Sequence, residues 1–132
     1  MSTPSNQLHV SSEDRSQRAA ILLVDDDPAI LEGVADLLSL YDYNVITAGN
    51  GQEALRAMQE GLPDLIISDI MMPGMDGYEF FEAVRSNPVW TPIPFVFLTA
   101  RGQARDIRLG NLLGVDAYLV KPFEPDDLLV MV

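Results

Sequence analysis

Polar side chains with acid, hydroxyl or amine chemistry stand directly after apolar runs of this sequence. Asp25, Asp26 and Asp27 follow the apolar run Ile21–Val24. Three later apolar runs end in a similar way, at Asp69, Thr99 and Lys121. Several carboxylates in one small cleft repel one another, so they stay ionised together only if a cation compensates their charge. The pattern therefore indicates either solvated loops or a shared cation site.

The ligand types that are present favour a hard divalent cation. The sequence has no cysteine, and its one histidine, His9, lies in a polar N-terminal stretch. Oxygen ligands without histidine or cysteine indicate Mg²⁺ first. Mg²⁺ also binds phosphoryl oxygens, and a carboxylate can act as the nucleophile that becomes an aspartyl phosphate. Because the sequence contains no glycine loop of the GxxxxGK[ST] type, ATP binding is not supported.

Length and charge exclude several classes of protein. The chain has 132 residues, of which 48% are apolar, and this is enough for one domain with a sizeable core. Its net charge of −12 disfavours nucleic acid and anionic membranes as partners of this segment. No apolar run is long enough to span a bilayer, and the N-terminus lacks the apolar stretch of a signal peptide. Together with the absence of cysteine, these features fit a cytoplasmic protein.

Apolar runs and helical patterns alternate along the chain. The predicted strands are Ile21–Val24, Asn44–Ala48, Leu65–Ser68, Phe95–Leu98 and Ala117–Val120. The predicted helices start at Pro28, extend from about Ala54 to Gly61, span Asp76–Ser86 and Ala104–Leu113, and start again at Asp126. This alternation predicts an α/β fold with a parallel sheet and helices on both faces. Ligand sites in such folds lie at the carboxyl ends of the strands, where the polar residues converge.

The first predicted helix separates Asp27 from the other two carboxylates. We expect Asp27 to cap this helix and Pro28 to occupy its first position. Its predicted buried face comprises Ile30, Leu31, Val34, Leu37, Leu38 and Tyr41. Asp25 and Asp26 then remain as the candidate cation ligands.

The two ends of the chain differ from the part between them. Residues 1–18 are polar and show no apolar periodicity, so we expect a flexible N-terminal arm before a domain that spans residues 19–132. The last predicted helix reaches Val132 without C-terminal signals. We therefore expect the sequence to stop within a longer helix, so that any output domain would lie beyond it.

Four segments carry a resemblance to a known family. The segments ILLVDDDP, SDIMMPGMDGYEF, FLTA and DAYLVKPF, in this order, resemble the signatures of response regulator receiver domains of two-component signalling. The resemblance covers roughly Ala20–Val132. It implies a flavodoxin-like (βα)5 fold with strand order 2-1-3-4-5. It also implies a domain that accepts a phosphoryl group from a histidine kinase or a histidine phosphotransfer protein and switches a downstream output, without being an enzyme beyond its own phosphorylation and dephosphorylation.

The resemblance implies a role for each residue that matches the motifs. Asp69 matches the phospho-acceptor. Asp26 matches a direct Mg²⁺ ligand, Asp25 matches a ligand that acts through water, and the backbone carbonyl of Met71 matches a further protein ligand. Asp69 itself completes the metal site.

The remaining matched positions concern the phosphoryl group and the switch. Thr99 matches the hydroxyl that binds the phosphoryl group, and Ala100 matches a small residue that leaves its approach open. Lys121 matches the family's lysine, and Lys121–Pro122 matches a cis peptide bond, which proline makes accessible. Tyr118 matches the aromatic side chain that swings inward when the hydroxyl is engaged.

Two surface features lead to further expectations. The resemblance implies that the side chains at the positions of Met71 and Arg101 tune the lifetime of the phosphoryl group. Neither residue offers an acid or amide that could orient water, so we expect slow self-dephosphorylation. Arg101, Arg105 and Arg108 are spaced i, i+4, i+7 at the fourth predicted helix and could share one helical face. A solvated face is the favoured interpretation of these arginines, and the alternative is partner docking or homodimerisation through this helix.

Two other functions remain open at this point. A haloacid-dehalogenase-like phosphatase would use Asp25 as its nucleophile in a DxDx[TV] pattern, but Ala29 occupies the position of the final Thr or Val. Such an enzyme would also leave Asp69 unused. A third interpretation is an interaction module of the same fold that is not phosphorylated and does not depend on Mg²⁺.

Overall fold

A computed structural model describes the backbone of residues 19–100 and 117–121, and the side chains of all of these except Ala100 and Val120. The elements in these segments are β1 (Ala20–Val24), α1 (Pro28–Leu40), β2 (Asn44–Ala48), α2 (Gly51–Glu60), β3 (Leu65–Asp69), α3 (Gly77–Arg85), β4 (Phe95–Ala100) and β5 (Ala117–Lys121). The predicted N-terminal arm, the helices predicted at 104–113 and from 126, the three arginines of the former helix, and Pro122 lie outside the described residues. In the described segments, no helix has the length and apolar character needed to cross a membrane.

The five strands form one parallel sheet in the order β2-β1-β3-β4-β5, which confirms the predicted α/β architecture and strand order. The register aligns the carboxyl ends of the strands. Val24 pairs with Ser68, Asp69 pairs with Leu98, and Lys121 pairs with a residue at the end of β4. The polar residues that follow β1 or end β3, β4 and β5 therefore lie along one edge of the sheet.

Helices pack on both faces of the sheet and bury two clusters of apolar side chains. One face carries α2 and α3, and its core contains four phenylalanines, among which the Phe95 ring contacts those of Phe80, Phe81 and Phe97. The other face carries α1, whose Val34 and Leu38 pack against side chains of β1, β3 and β4. Burial from both sides explains why β1 and β3 are apolar runs without alternation. These layers fix the central strands that carry the polar edge.

The start of α1 is as predicted, whereas the prediction that Tyr41 belongs to its buried face is wrong. The Asp27 side chain caps the helix by accepting a hydrogen bond from the Ala29 amide, and Pro28 is the first helical residue. Tyr41 was expected on the buried face, but it is the C-cap residue and is 56% exposed. The reason is that the chain turns at this point, with Asp42 in the left-handed region at φ 67°, so the helical periodicity no longer determines the direction of the Tyr41 side chain.

Candidate functional site

Asp25 is held at the end of β1 by contacts to three neighbours. Its side chain is completely buried. Its amide donates to the carbonyl of Ala48 at 3.1 Å, and its Oδ1 accepts from the Asp27 amide at 2.9 Å. Its Oδ2 accepts a hydrogen bond from Lys121 Nζ at 2.9 Å. Because a buried charge needs a partner, the Lys121 ammonium is what makes an ionised Asp25 tolerable at this position.

Asp69 is the last residue of β3 and is only 8% exposed. Its Oδ1 accepts a hydrogen bond from the Ile70 amide at 2.9 Å and lies 3.4 Å from Lys121 Nζ. The hydroxyl of Ser68, which is buried, donates to the Asp69 carbonyl at 2.9 Å. Lys121 thus lies between two carboxylates that reach it from different strands.

The charges in this site shift the pKa values of its members. Burial and the nearby charge of Asp25 raise the pKa of Asp69 to about 6, although Lys121 acts in the opposite direction. Burial lowers the pKa of Lys121, but its hydrogen bond to Asp25 and the charges of Asp69 and Asp25 outweigh burial, so the pKa is raised overall. The raised pKa of Asp69 indicates that one ammonium compensates the charge around this carboxyl group incompletely.

Three carboxylates of the site are close enough to share a metal ion. Oxygens of Asp25, Asp26 and Asp69 all lie within 4.8 Å of one another. Opposite ligands of an octahedral Mg²⁺ are about 4 Å apart, so the span of this cluster is close to that of a coordination shell. Asp26 is exposed, whereas Asp25 and Asp69 are buried, so the cluster opens to solvent on one side. The donor set consists only of hard oxygen ligands, which fits Mg²⁺ and does not favour softer metals.

The other residues predicted for the site lie around this cluster. Thr99 is 1% exposed near the end of β4, and Ala100 pairs with Lys121 in the register of β4 and β5. Tyr118 is half-buried against the core on the α2–α3 face, and burial raises the pKa of its hydroxyl. Met71 follows Asp69 by two residues, and its side chain is 73% exposed. The strand ends therefore converge as the sequence predicted, while the roles of these residues stay predictions.

Sequence reasoning missed two residues beside Asp69. Ser68 supports the Asp69 carbonyl from within the sheet, but in the sequence it is only a polar residue in an apolar strand. Gly77 begins α3 and donates its amide to the Ile70 carbonyl at 2.8 Å. The Asp76-Gly77 dipeptide suggests a turn, yet nothing in the sequence indicates how closely the glycine approaches Asp69.

The geometry around Asp25 disfavours the phosphatase alternative. A nucleophile must reach its substrate, but the Asp25 side chain is fully buried and both of its oxygens accept hydrogen bonds. The phosphatase interpretation also left Asp69 without a task, whereas Asp69 lies at the centre of the contacts of this site.

Comparisons with known proteins agree with the resemblance of this chain to response regulator receiver domains. The family model "Response regulator receiver domain" matches residues 21–132. Response regulator Rre1 of Synechocystis sp. is 47% identical over 110 residues, which are 83% of this chain and 48% of that protein. The DNA-binding response regulator MtrA of Mycolicibacterium smegmatis is 37% identical over 117 residues, or 89% of this chain and 50% of that protein. The chain thus spans about half the length of these relatives.

A solved structure shows the same architecture. The chemotaxis protein CheY4 of Vibrio cholerae superposes with a TM-score of 0.81 at 38% identity, over 86% of this chain and 95% of that one. Together, the sheet order, the acidic edge and these matches define a phospho-accepting signalling module. The chain belongs to the response regulator receiver domain family. Proteins of this family act with histidine kinases in two-component systems, and the matches support neither the phosphatase nor the unphosphorylated module.

Proposed function

We propose that Asp69 is the phospho-acceptor of this receiver domain. The observation that carries the proposal is the closeness of the Asp69 carboxylate both to the Lys121 ammonium and to the carboxylates of Asp25 and Asp26. In the described part of the chain, the hydrogen bond from the Ile70 amide and the ion pair with Lys121 both involve Oδ1 of the Asp69 carboxylate. Oδ2 is therefore the oxygen that would attack phosphorus. As the new O–P bond forms, the N–P bond of a phosphohistidine breaks, and the released imidazole nitrogen takes up a proton.

Asp25, Asp26 and Asp69 would hold Mg²⁺, together with the backbone carbonyl of Met71. When bound, the ion neutralises charge on the acidic cluster and on the transferring phosphoryl group. The support for this ligand set is the short distance between the three carboxylates and the solvent-facing position of Asp26. The raised pKa of Asp69 also supports a cation at this position, because a nearby cation stabilises an ionised carboxylate whose charge is not fully compensated.

Lys121 and Thr99 would bind oxygens of the transferred phosphoryl group. The Lys121 ammonium already contacts Asp69 Oδ1 at 3.4 Å, so it is positioned to neutralise charge on a group attached to the same carboxylate. The Thr99 hydroxyl would donate to a phosphoryl oxygen, and the small side chain of Ala100 would leave the approach open. Tyr118 lies in the register beside Phe97, on the same sheet face as Thr99, and would report this engagement by moving inward.

The donor and the output are a further part of the proposal. The phosphoryl group would come from a histidine kinase or a histidine phosphotransfer protein. Rre1 and MtrA are called response regulators, and MtrA is called DNA-binding. Because this chain spans about half of such proteins, an output of that kind would be carried by sequence outside it. We assign no catalytic activity to this chain other than its own phosphorylation and dephosphorylation.

The proposal is tested by treating the protein with acetyl phosphate in the presence and absence of Mg²⁺ and measuring its intact mass. We expect one added phosphoryl group in the wild type only with Mg²⁺, and none in Asp69→Asn. Asp36→Asn removes an exposed carboxylate from α1 and serves as the control that retains modification. Modification of Asp69→Asn at the wild-type level, or modification that does not require Mg²⁺, would contradict the proposal.

A further inference from the structure

Gly77 begins α3 at the point where this helix packs directly against the end of β3. Its amide donates to the Ile70 carbonyl at 2.8 Å, which closes the loop that leads from Asp69 past Met71 to the helix. A Cβ built on Gly77 would lie 2.3 Å from the Asp69 carbonyl oxygen and 2.7 Å from Ile70 Cα. The atoms that such a side chain would meet first are thus the backbone of Asp69 and of its neighbour.

Other glycines of the chain differ from Gly77 in this respect. A Cβ on Gly51 would also make close contacts, but only with the flexible side chain of Met75, which can move aside. A Cβ on Gly33, within α1, would meet nothing within 4 Å. At Gly77 the obstacle is backbone, so either the helix or the strand end must shift to admit a side chain. Relieving the contact from 2.3 Å to the 3.0 Å that real Cβ atoms require needs a movement of about 0.7 Å.

The strand end that such a side chain would meet carries the reacting carboxylate. The Ile70 amide donates to Asp69 Oδ1, Ser68 supports the Asp69 carbonyl, and Lys121 lies 3.4 Å from the same Oδ1. A shift of the strand end by this distance would change all three contacts together. Misplacement of reacting groups by about 1 Å can cost two orders of magnitude in rate.

We infer that Gly77 is a positioning residue for Asp69, because the absence of a side chain lets α3 and its closing hydrogen bond hold the acceptor residue at the end of β3. This inference rests on the proposed function of Asp69. It predicts that Gly77→Ala moves Asp69 relative to Lys121 and the other carboxylates, and so weakens both Mg²⁺ binding and phosphoryl acceptance.

The test compares Gly77→Ala with Val84→Ala, which removes buried apolar volume from the far end of the same helix. All measurements are made at a temperature at which circular dichroism shows every variant to be folded. We expect Gly77→Ala to weaken Mg²⁺ binding in calorimetry, and to lower the rate of phosphorylation at saturating acetyl phosphate, by at least tenfold each. Val84→Ala should stay within about twofold of the wild type in both quantities, even if it is the less stable variant.

The outcomes separate this inference from the proposed function. A wild type that is not modified on Asp69 contradicts the proposed function itself. A modified wild type with Gly77→Ala equal to it, or with equal losses in Val84→Ala, overturns the positioning role alone. If Gly77→Ala does not fold, Gly33→Ala is added to raise the overall stability through α1. Alanine is favoured at this helical position, and its Cβ meets no other atom within 4 Å. If the double variant still does not fold, Gly77 is required for folding itself, and this result also overturns the positioning role.

Discussion

Replacing Asp69 by asparagine should stabilise the protein in the absence of Mg²⁺. The pKa of Asp69 is raised from 3.8 to about 6, which means that the ionised carboxylate is less favourable in the folded state than in the unfolded state. A rise of this size corresponds to about 3 kcal/mol at neutral pH. Because the site opens to solvent at Asp26, we expect about 2 kcal/mol to be recovered in Asp69→Asn. Asparagine keeps the shape of the side chain, and its oxygen can still accept from the Ile70 amide.

The difference in the free energy of unfolding between the wild type and Asp69→Asn should depend on pH, because the folded and unfolded states bind the Asp69 proton differently. Between pH 3.8 and about 6, the folded state binds the Asp69 proton and the unfolded state has lost it. The free energy of unfolding of the wild type should therefore fall, relative to the variant, as the pH rises through this range. Above about pH 6 the difference should be constant, and below about pH 4 it should disappear, since Asp69 is then neutral in both states.

The assay is urea unfolding in EDTA at several pH values, repeated with Mg²⁺. Asp36→Asn removes the same charge at an exposed position and controls for the net charge of −12. A gain in Asp36→Asn equal to that in Asp69→Asn, or a gain that does not change with pH, would show that the buried charge of Asp69 does not destabilise the folded protein. Mg²⁺ at 100 times its dissociation constant should stabilise the wild type by about 2.7 kcal/mol and cancel the advantage of the variant.

Three further results are expected. Lys121→Met leaves the buried Asp25 carboxylate without its cationic partner. Urea unfolding in EDTA should therefore show a free energy of unfolding lower by on the order of 3 kcal/mol, and Mg²⁺ should partly restore it. An unchanged free energy of unfolding would mean that the ion pair is dispensable. Loss of the phosphoryl group from the isolated protein, followed by intact mass, should be slow, and Met71→Asn should accelerate it because the exposed amide can orient water; equal rates would argue against this role of the position. Gly33→Ala should raise the free energy of unfolding by up to about 1 kcal/mol, since the site is helical and open; a destabilised variant would contradict the packing described for α1.

The location of the site could be predicted because it depends on topology. Asp69 and Lys121 are far apart in the sequence, but each ends an apolar run, and parallel strands bring such ends to one edge. The division of the carboxylate triplet could also be predicted, since Asp27 before Pro28 is a helix start. These predictions rest on the period and order of elements, which a sequence expresses directly.

Features that depend on a few tenths of an ångström could not be predicted. The contact between Gly77 and the Asp69 backbone depends on how closely a helix approaches a strand, and no periodicity records that distance. The raised pKa of Asp69 depends on burial and on one ammonium shared by two carboxylates. The helical periodicity predicts a buried Tyr41, but the helix ends at Leu40 and the chain turns at Asp42, so Tyr41 is exposed.

The central claim is that Asp69 receives the phosphoryl group. The most direct test is peptide-level mass spectrometry of the wild type after reaction with acetyl phosphate and Mg²⁺, with borohydride reduction to mark the acyl phosphate before digestion. We expect a single marked residue, Asp69, and no mark when Mg²⁺ is withheld. A mark on Asp25 instead, or a phosphorylated peptide that lacks Asp69, would contradict it.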